Sequence, residues 1–313
     1  MSSSNQDQYK TLLSGGIAGM CSKTTVAPLD RIKILFQAHN SHYKNLGVWS
    51  GLNAIRKNEG FMALYKGNGA QMVRIFPYAA IQFTAFEQYK KTFKSFLGTD
   101  TVLGAFAVKF GAGACAGTTA VTATYPLDTV RARLAFQVKG EHKYKGIIDA
   151  FKTIYKSEGG LLALYRGFIP TLCGIFPYAG CSFYSFETLK NLCMLYLPSY
   201  TCETCAENTG GLVLLLPAKL VCGGFAGAVA QIVSYPLDVT RRRMQLAMMD
   251  QETAKFAQSM WGTLKMTYKE NGIVRGLYRG MSTNFYRAGP MFAVSFSTFE
   301  LMKQLLGLDT GSS

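Results

Sequence analysis

Long stretches of apolar and small residues, broken at regular places by one charge or one proline, alternate along this chain with shorter stretches whose apolar residues fall on one helical face. The long stretches run over about 11–38, 72–93, 104–137, 170–192, 212–246 and 283–305, and each predicts a helix. The shorter amphipathic ones run over about 47–57, 146–156 and 257–269. At 1.5 Å per residue every long helix crosses a hydrocarbon core of ~30 Å, even when tilted. No eighteen consecutive residues are apolar. The interrupting polar residues mark one face of each span, as expected of a helix with lipid on one side and a water-filled cavity on the other. The amphipathic stretches then lie along the membrane surface.

This pattern is written three times, with a period of about 100 residues. Its anchors are Pro28, Pro126 and Pro236, each opening a P-x-D-x-x-[KR] sequence that supplies Asp30 and Lys33, Asp128 and Arg131, and Asp238 and Arg241. Nine residues before each proline stands a glycine (Gly19, Gly117, Gly227), with another four earlier (Gly15, Gly113, Gly223). Further on come Tyr65-Lys66-Gly67, Tyr165-Arg166-Gly167 and Tyr278-Arg279-Gly280. Twelve residues after each of those tyrosines is a second proline (Pro77, Pro177, Pro290), and ten beyond it a glutamate (Glu87, Glu187, Glu300) followed three later by a lysine (Lys90, Lys190, Lys303). Chance does not produce five ordered landmarks three times. The chain therefore divides into repeats at 1–98, 99–205 and 206–313. The predicted fold is an all-α membrane protein of six transmembrane helices with pseudo-threefold symmetry, plus short surface helices on one side.

Charge orients it. Linkers 39–71, 138–170 and 247–282 carry fifteen Lys and Arg, against three in segments 1–10, 91–108, 191–213 and 304–313. The linkers therefore share the inner compartment and both termini lie outside. Charged residues make up 16% of the 313, below the ~25% of an average globular domain. A net charge of +15 favours an anionic partner. A nucleic-acid-binding repeat protein would share that charge, but not the glycine-rich apolar helices or the charges repeated inside them. Residues 1–10 lack the apolar core or arginine-rich pattern of a cleavable targeting peptide. No catalytic triad, Walker loop or dinucleotide fingerprint stands in a credible context, so no enzyme and no cofactor are expected. Cys202 and Cys205 form a C-x-x-C without the further ligands a structural zinc site needs. His39, His42 and His142 fall in inner linkers, in contact with water or headgroups rather than catalytic.

A proline inside a helix removes a backbone hydrogen bond and bends it, so Pro28, Pro126 and Pro236 bend three spans at one depth. The aspartate and the basic residue that follow lie on one helical face, and neither stays unpaired in a membrane. Three copies around an axis permit an inner ring: Asp30 with Arg131, Asp128 with Arg241, Asp238 with Lys33. The glutamate–lysine copies permit an outer ring: Glu87 with Lys190, Glu187 with Lys303, Glu300 with Lys90. Two rings at opposite ends of one cavity form a bistable pair of gates. Between them, residues that break the threefold pattern are candidates to bind an asymmetric solute. Three before each second proline stand Arg74, Gly174 and Arg287, and Lys23 has uncharged counterparts in Val121 and Gln231. Two guanidiniums and an ammonium suit a multiply anionic substrate.

These motifs, over essentially the full length, resemble those of the mitochondrial carrier family. The resemblance implies matrix and cytoplasmic salt-bridge networks at the inner and outer rings, and a glutamine brace nine residues after each first proline. Gln37 and Gln245 match, whereas Ala135 stands in the second repeat. It also implies substrate contacts on the even helices, with Gly174-Ile175 as the small-aliphatic pair that slots an adenine ring. Runs such as Lys23 to Arg31, Arg133 to His142 and Asp238 to Leu246 are similar to the coenzyme A carrier branch of that family. Coenzyme A, or another adenine nucleotide derivative such as ADP or ATP, is then the expected cargo. The implied setting is the mitochondrial inner membrane, with both termini toward the intermembrane space, a monomer, and anionic lipid such as cardiolipin against the matrix-side helices.

Overall fold

A computed structural model describes residues 3–97, 102–140, 143–204, 212–250, 253–257 and 259–308. Each repeat folds as a long helix, a short amphipathic helix and a second long helix. These are α1 (Ser3–Gln37), α2 (Val48–Glu59) and α3 (Asn68–Leu97), then α4 (Val102–Phe136), α5 (Ile147–Ser157) and α6 (Phe168–Tyr196), then α7 (Leu216–Gln245), α8 (Met260–Asn271) and α9 (Met281–Leu305). All nine expected helices form. The all-α reading gains one small addition: Cys202–Thr204 pairs antiparallel with Leu212–Leu214, a hairpin in the connection between the second and third repeats. Residues 212–214, expected as the start of a helix, belong to that hairpin, and α7 begins at Leu216 with Pro217 in its first turn, where the missing N–H costs nothing. Cys205 and His142 lie outside the described residues.

The six long helices form a ring whose principal seams lie between repeats: α3 against α4, α6 against α7, and α9 against α1. Each first proline sits inside its helix. The repeated glycine that follows each Lys or Arg of the linkers caps the second long helix. Gly67, Gly167 and Gly280 have φ of 83°, 84° and 84°, and a Cβ at Gly67 or Gly167 would lie 2.9 or 2.7 Å from the carbonyl oxygen of Arg131 or Arg241 in the next repeat. Left-handed backbone and lack of room both demand glycine there.

The buried core gathers at the end where α2, α5 and α8 lie, in residues such as Ile32, Leu35, Ile55, Val130, Ile154, Leu164 and Leu246. Toward the other end the helices expose Phe83, Phe96, Phe110, Phe183 and Leu195 to the surroundings. Apolar side chains facing outward and a core at one end describe a ring set in lipid. Two of the long helices carry an 18-residue window apolar enough to pass as spans by composition alone, within Leu161–Tyr196 and Pro217–Gln245. The short helices and the turns after them expose Trp49, Met62, Ile148, Leu162, Trp261 and Val274, the amphipathic pattern of elements seated at a membrane interface.

Candidate functional site

A cavity of about 540 Å³ lies among the long helices, and Lys23, Arg74, Gly174, Ile175 and Arg287 all line it. Asp30, Lys33, Gln37, Asp128, Arg131, Asp238 and Arg241 line it as well, at the end toward the buried core. A second, more apolar cavity of about 810 Å³ between α6, α7 and α9 shares Tyr178, Gln231 and Arg287 with the first, so the two are contiguous.

Two of the three expected inner ion pairs are closed. Arg131 donates from Nη2 to Asp30 Oδ2 at 2.6 Å, and Arg241 from Nη2 to Asp128 Oδ2 at 2.7 Å. Each joins consecutive repeats. Gln245 also donates to Asp128 Oδ2, at 2.8 Å, as the brace expectation required. The remaining carboxylate oxygens hold the central arginines: Arg287 donates to Asp30 Oδ1 at 2.7 Å, and Arg74 to Asp128 Oδ1 at 2.8 Å. Neither arginine is therefore an uncompensated charge. An aspartate of the following repeat already compensates each, because a guanidinium three residues before the second proline reaches the neighbouring P-x-D carboxylate.

The third pair departs from the ring. Asp238 accepts from Gln231 Nε2 at 3.1 Å, while the Lys33 ammonium sits over the Tyr235 ring, 5.6 Å from its centroid. Gln37 braces no ion pair; its Nε2 donates to the Tyr235 hydroxyl at 3.2 Å. The reason is in the sequence. Gly174 occupies the place of Arg74 and Arg287, so among the described residues no guanidinium donates a hydrogen bond to Asp238. Lys23 reaches Met291 Sδ at 3.6 Å and has no carboxylate partner among the described residues. It is a cation available to a ligand. Ala135 supplies no brace, and its carbonyl accepts from Arg31 instead.

The outer ring is not assembled. Lys90 pairs with Glu87 at 3.9 Å and Lys190 with Glu187 at 3.4 Å, each within one helix and near half exposed. Lys303 lies over Phe299, 5.2 Å from its centroid. The expected partners belong to different helices, and those helices stand apart at this end. Gly15, Gly117, Gly223 and Gly227 face open space, with no atom within 4 Å of an added Cβ. The cavity is closed at its inner end and open at its outer end.

Two buried arginines carry a function the sequence reading missed. Arg31, 1% exposed, donates to Glu59 Oε2 at 2.8 Å and to the carbonyls of Ala63, Ala135 and Gln137, tying α1 to α2 and to the second repeat. Arg133 does the same for α4, through both oxygens of Glu158 and the carbonyls of Gln245 and Ala247. Burial raises the Glu59 carboxyl, yet hydrogen bonds from Arg31, Lys66 and Tyr43 and the charge of Arg31 hold it below the usual range. A buried charge is stable only when so completely paired. In the sequence, Glu59-Gly60 and Glu158-Gly159 are the trace of this arrangement. Tyrosine pairs add to it, Tyr125 stacking on Tyr165 and Tyr235 on Tyr278 with centroids 5.8 and 6.0 Å apart.

Six spans around a cation-lined cavity, shut at one end and open at the other, are the architecture of a membrane transporter for a small solute. The sequence profile described as "Mitochondrial carrier protein" matches residues 4–97, 104–197 and 214–310, once per repeat. The chain is 55% identical to mouse "Solute carrier family 25 member 16" over 308 residues, covering 98% of this chain and 91% of that one. It is 55% identical to the human protein of the same name over 300 residues, 96% and 89% of the two chains. It is 43% identical to "Mitochondrial coenzyme A transporter SLC25A42" of Xenopus tropicalis over 296 residues, 95% and 85% of the two chains. The chain belongs to the mitochondrial carrier family. Its members are transporters of the mitochondrial inner membrane, not enzymes.

Proposed function

We propose that this carrier moves coenzyme A across the mitochondrial inner membrane, exchanging access between the two sides without hydrolysing ATP. One observation carries the choice: a cavity lined by Lys23, Arg74 and Arg287 opens directly into an apolar one lined by Phe285, Phe292 and Phe296. A 3′-phosphorylated ADP moiety suits the cations, and the less polar pantetheine arm suits the apolar annex. Gly174 and Ile175 receive the adenine, since the missing side chain leaves room for a planar base. The relatives named as a coenzyme A transporter support the same reading.

In this account the substrate phosphates compete with Asp30 and Asp128 for Arg287 and Arg74. Asp30, Lys33, Asp128, Arg131, Asp238, Arg241 and Gln245 act as the matrix gate, and Gln37 supports it through Tyr235. When the anion draws the arginines away, Asp30 and Asp128 each lose one of their two guanidiniums and the gate opens. Glu87, Lys90, Glu187, Lys190, Glu300 and Lys303 then pair across helices as the cytoplasmic gate, and the outer glycines admit the approaching helices. The repeats 1–98, 99–205 and 206–313 move as units about Pro28, Pro126 and Pro236. The protein works as a monomer with both termini toward the intermembrane space, and anionic lipid such as cardiolipin seats the matrix-side helices.

The test is uptake of labelled coenzyme A into liposomes containing the purified protein, competed with ADP, ATP, dephospho-coenzyme A and adenosine 3′,5′-bisphosphate. Coenzyme A should compete best. Stronger competition by ADP and ATP would assign the carrier to simple adenine nucleotides, and indifference to all five would end the nucleotide reading.

A further inference from the structure

Two amide side chains stand three residues before the central arginines, Gln71 before Arg74 and Asn284 before Arg287, with Thr171 at the same place in the second repeat. Thr171 is satisfied within its own helix, its hydroxyl donating to the Gly167 carbonyl at 2.7 Å. Asn284 is not. It is 8% exposed, and neither its Oδ1 nor its Nδ2 has a hydrogen-bond partner among the described residues. A buried carboxamide with acceptor and donor both idle is costly, so packing alone does not account for it. Gln71 lines the central cavity, whereas Asn284 lines the apolar annex between α6, α7 and α9.

The annex has a direction. Tyr178, Gln231 and Arg287 stand where it joins the central cavity, and Arg287 reaches inward to Asp30. From Asn284 the α9 lining continues outward through Phe292 to Phe296, and the α7 lining runs from Gln231 out to Lys219. At 1.5 Å per residue each of these runs is about 18 Å of helix. The slot thus offers a guanidinium at its inner end, an unpaired carboxamide beside it and aromatic rings beyond. A carboxamide with both functions free selects a group that accepts and donates together, as a secondary amide does. Hydrocarbon offers neither function, and an ionised phosphate offers acceptors alone.

We infer that the annex is a subsite for a phosphopantetheine arm: Arg287 takes the phosphate, Asn284 exchanges hydrogen bonds with an amide of the arm, and the thiol end lies toward Phe292 and Phe296. The inference rests on the reading of coenzyme A as cargo, and adds that Asn284 distinguishes coenzyme A from nucleotides that lack the arm. It also extends the ligands to phosphopantetheine without adenine.

Thermal midpoints of the purified full-length protein in detergent, titrated with phosphopantetheine, coenzyme A and adenosine 3′,5′-bisphosphate, give an apparent Kd for each. Wild-type protein should be stabilised by all three. Asn284→Thr, which installs the residue the second repeat carries at this place, should bind phosphopantetheine and coenzyme A about tenfold more weakly and the bisphosphate equally well. Its ligand-free midpoint should not fall, because an unpaired buried amide is removed. Asn284→Leu, which brings no hydrogen-bonding atoms, should repeat the result. Weakening of all three ligands alike would make Asn284 a structural residue and overturn the inference, as would unchanged binding of coenzyme A in both variants or no response of wild type to phosphopantetheine. Liposome uptake judges the cargo separately: absence of coenzyme A uptake beside an Asn284-dependent response to phosphopantetheine retains the subsite and rejects the cargo.

Discussion

Replacing the three inner aspartates one at a time by asparagine should give unequal results, although each occupies the same place in its repeat. Asp128 is 2% exposed and accepts from Arg241, Arg74 and Gln245. Asparagine there removes the charge and one acceptor oxygen, leaving two guanidiniums poorly paired in a membrane interior. Breaking such a buried network costs about 3–5 kcal/mol. Asp30 carries two arginines and should behave similarly. Among the described residues Asp238 accepts one hydrogen bond, from the neutral Gln231, and asparagine can still accept it, so its replacement should cost about 1 kcal/mol. At roughly 2–4 °C per kcal/mol, the thermal midpoint of substrate-free protein in detergent should fall by about 6 °C or more for the first two and about 4 °C or less for the third. Three shifts of equal size, or the largest at Asp238, would refute the asymmetric inner gate.

Gly174→Arg should supply the guanidinium that the second repeat lacks, pairing with Asp238 as Arg74 pairs with Asp128; its Cβ meets Leu237 at an ordinary 3.7 Å. Thermal stability should rise while liposome uptake of coenzyme A falls to background. Glu187→Gln should barely change the thermal midpoint, because the pair it breaks is an exposed one within a helix, yet it should slow uptake by removing an outer-gate partner. Glu59→Gln should lower the midpoint by several degrees, since Arg31 then loses its carboxylate at 1% exposure. The pH dependence follows from His39, whose pKa is depressed from 6.5 to about 4 by burial and by the charges of Arg243, Lys44 and Arg279. Below pH 6.5 the unfolded chain takes up a proton that the folded chain refuses until about pH 4. Stability should therefore fall as pH drops through that window, and His39→Asn, which tolerates the left-handed backbone at this position (φ of 59°), should flatten the slope in a thermal-shift series.

The helical hairpins and the cavity were legible because each rests on residues repeated at fixed spacing, such as Pro28, Asp30 and Gly67 with their counterparts. The pairing partners were legible only where all three copies carry the same chemistry. Asp30–Arg131 and Asp128–Arg241 formed as spacing required. Asp238 did not join Lys33, because partner choice there depends on a guanidinium missing from a different helix, at Gly174, and a linear pattern does not reveal which helix reaches which carboxylate. The engagement of Arg74 and Arg287 with the gate was hidden for the same reason. The outer ring depends on how close the helices stand, which is a property of the conformational state rather than of residue order. The buried Arg31 and Arg133 went unread because surface-helix glutamates look solvent-facing until the linker folds back under the bundle.

The central claim is that substrate anions release Arg74 and Arg287 from the inner carboxylates and so exchange which end of the cavity is open. A single cysteine replacing cavity-lining Ala179, in protein otherwise free of cysteine, reports this directly when an impermeant maleimide is added to one side of oriented liposomes. Without substrate, labelling should be fast from the outer side and slow from the inner side; coenzyme A should raise the inner rate, and Arg74→Ala with Arg287→Ala should abolish that rise. An inner rate that ignores coenzyme A, or a rise that survives loss of both arginines, would contradict the account.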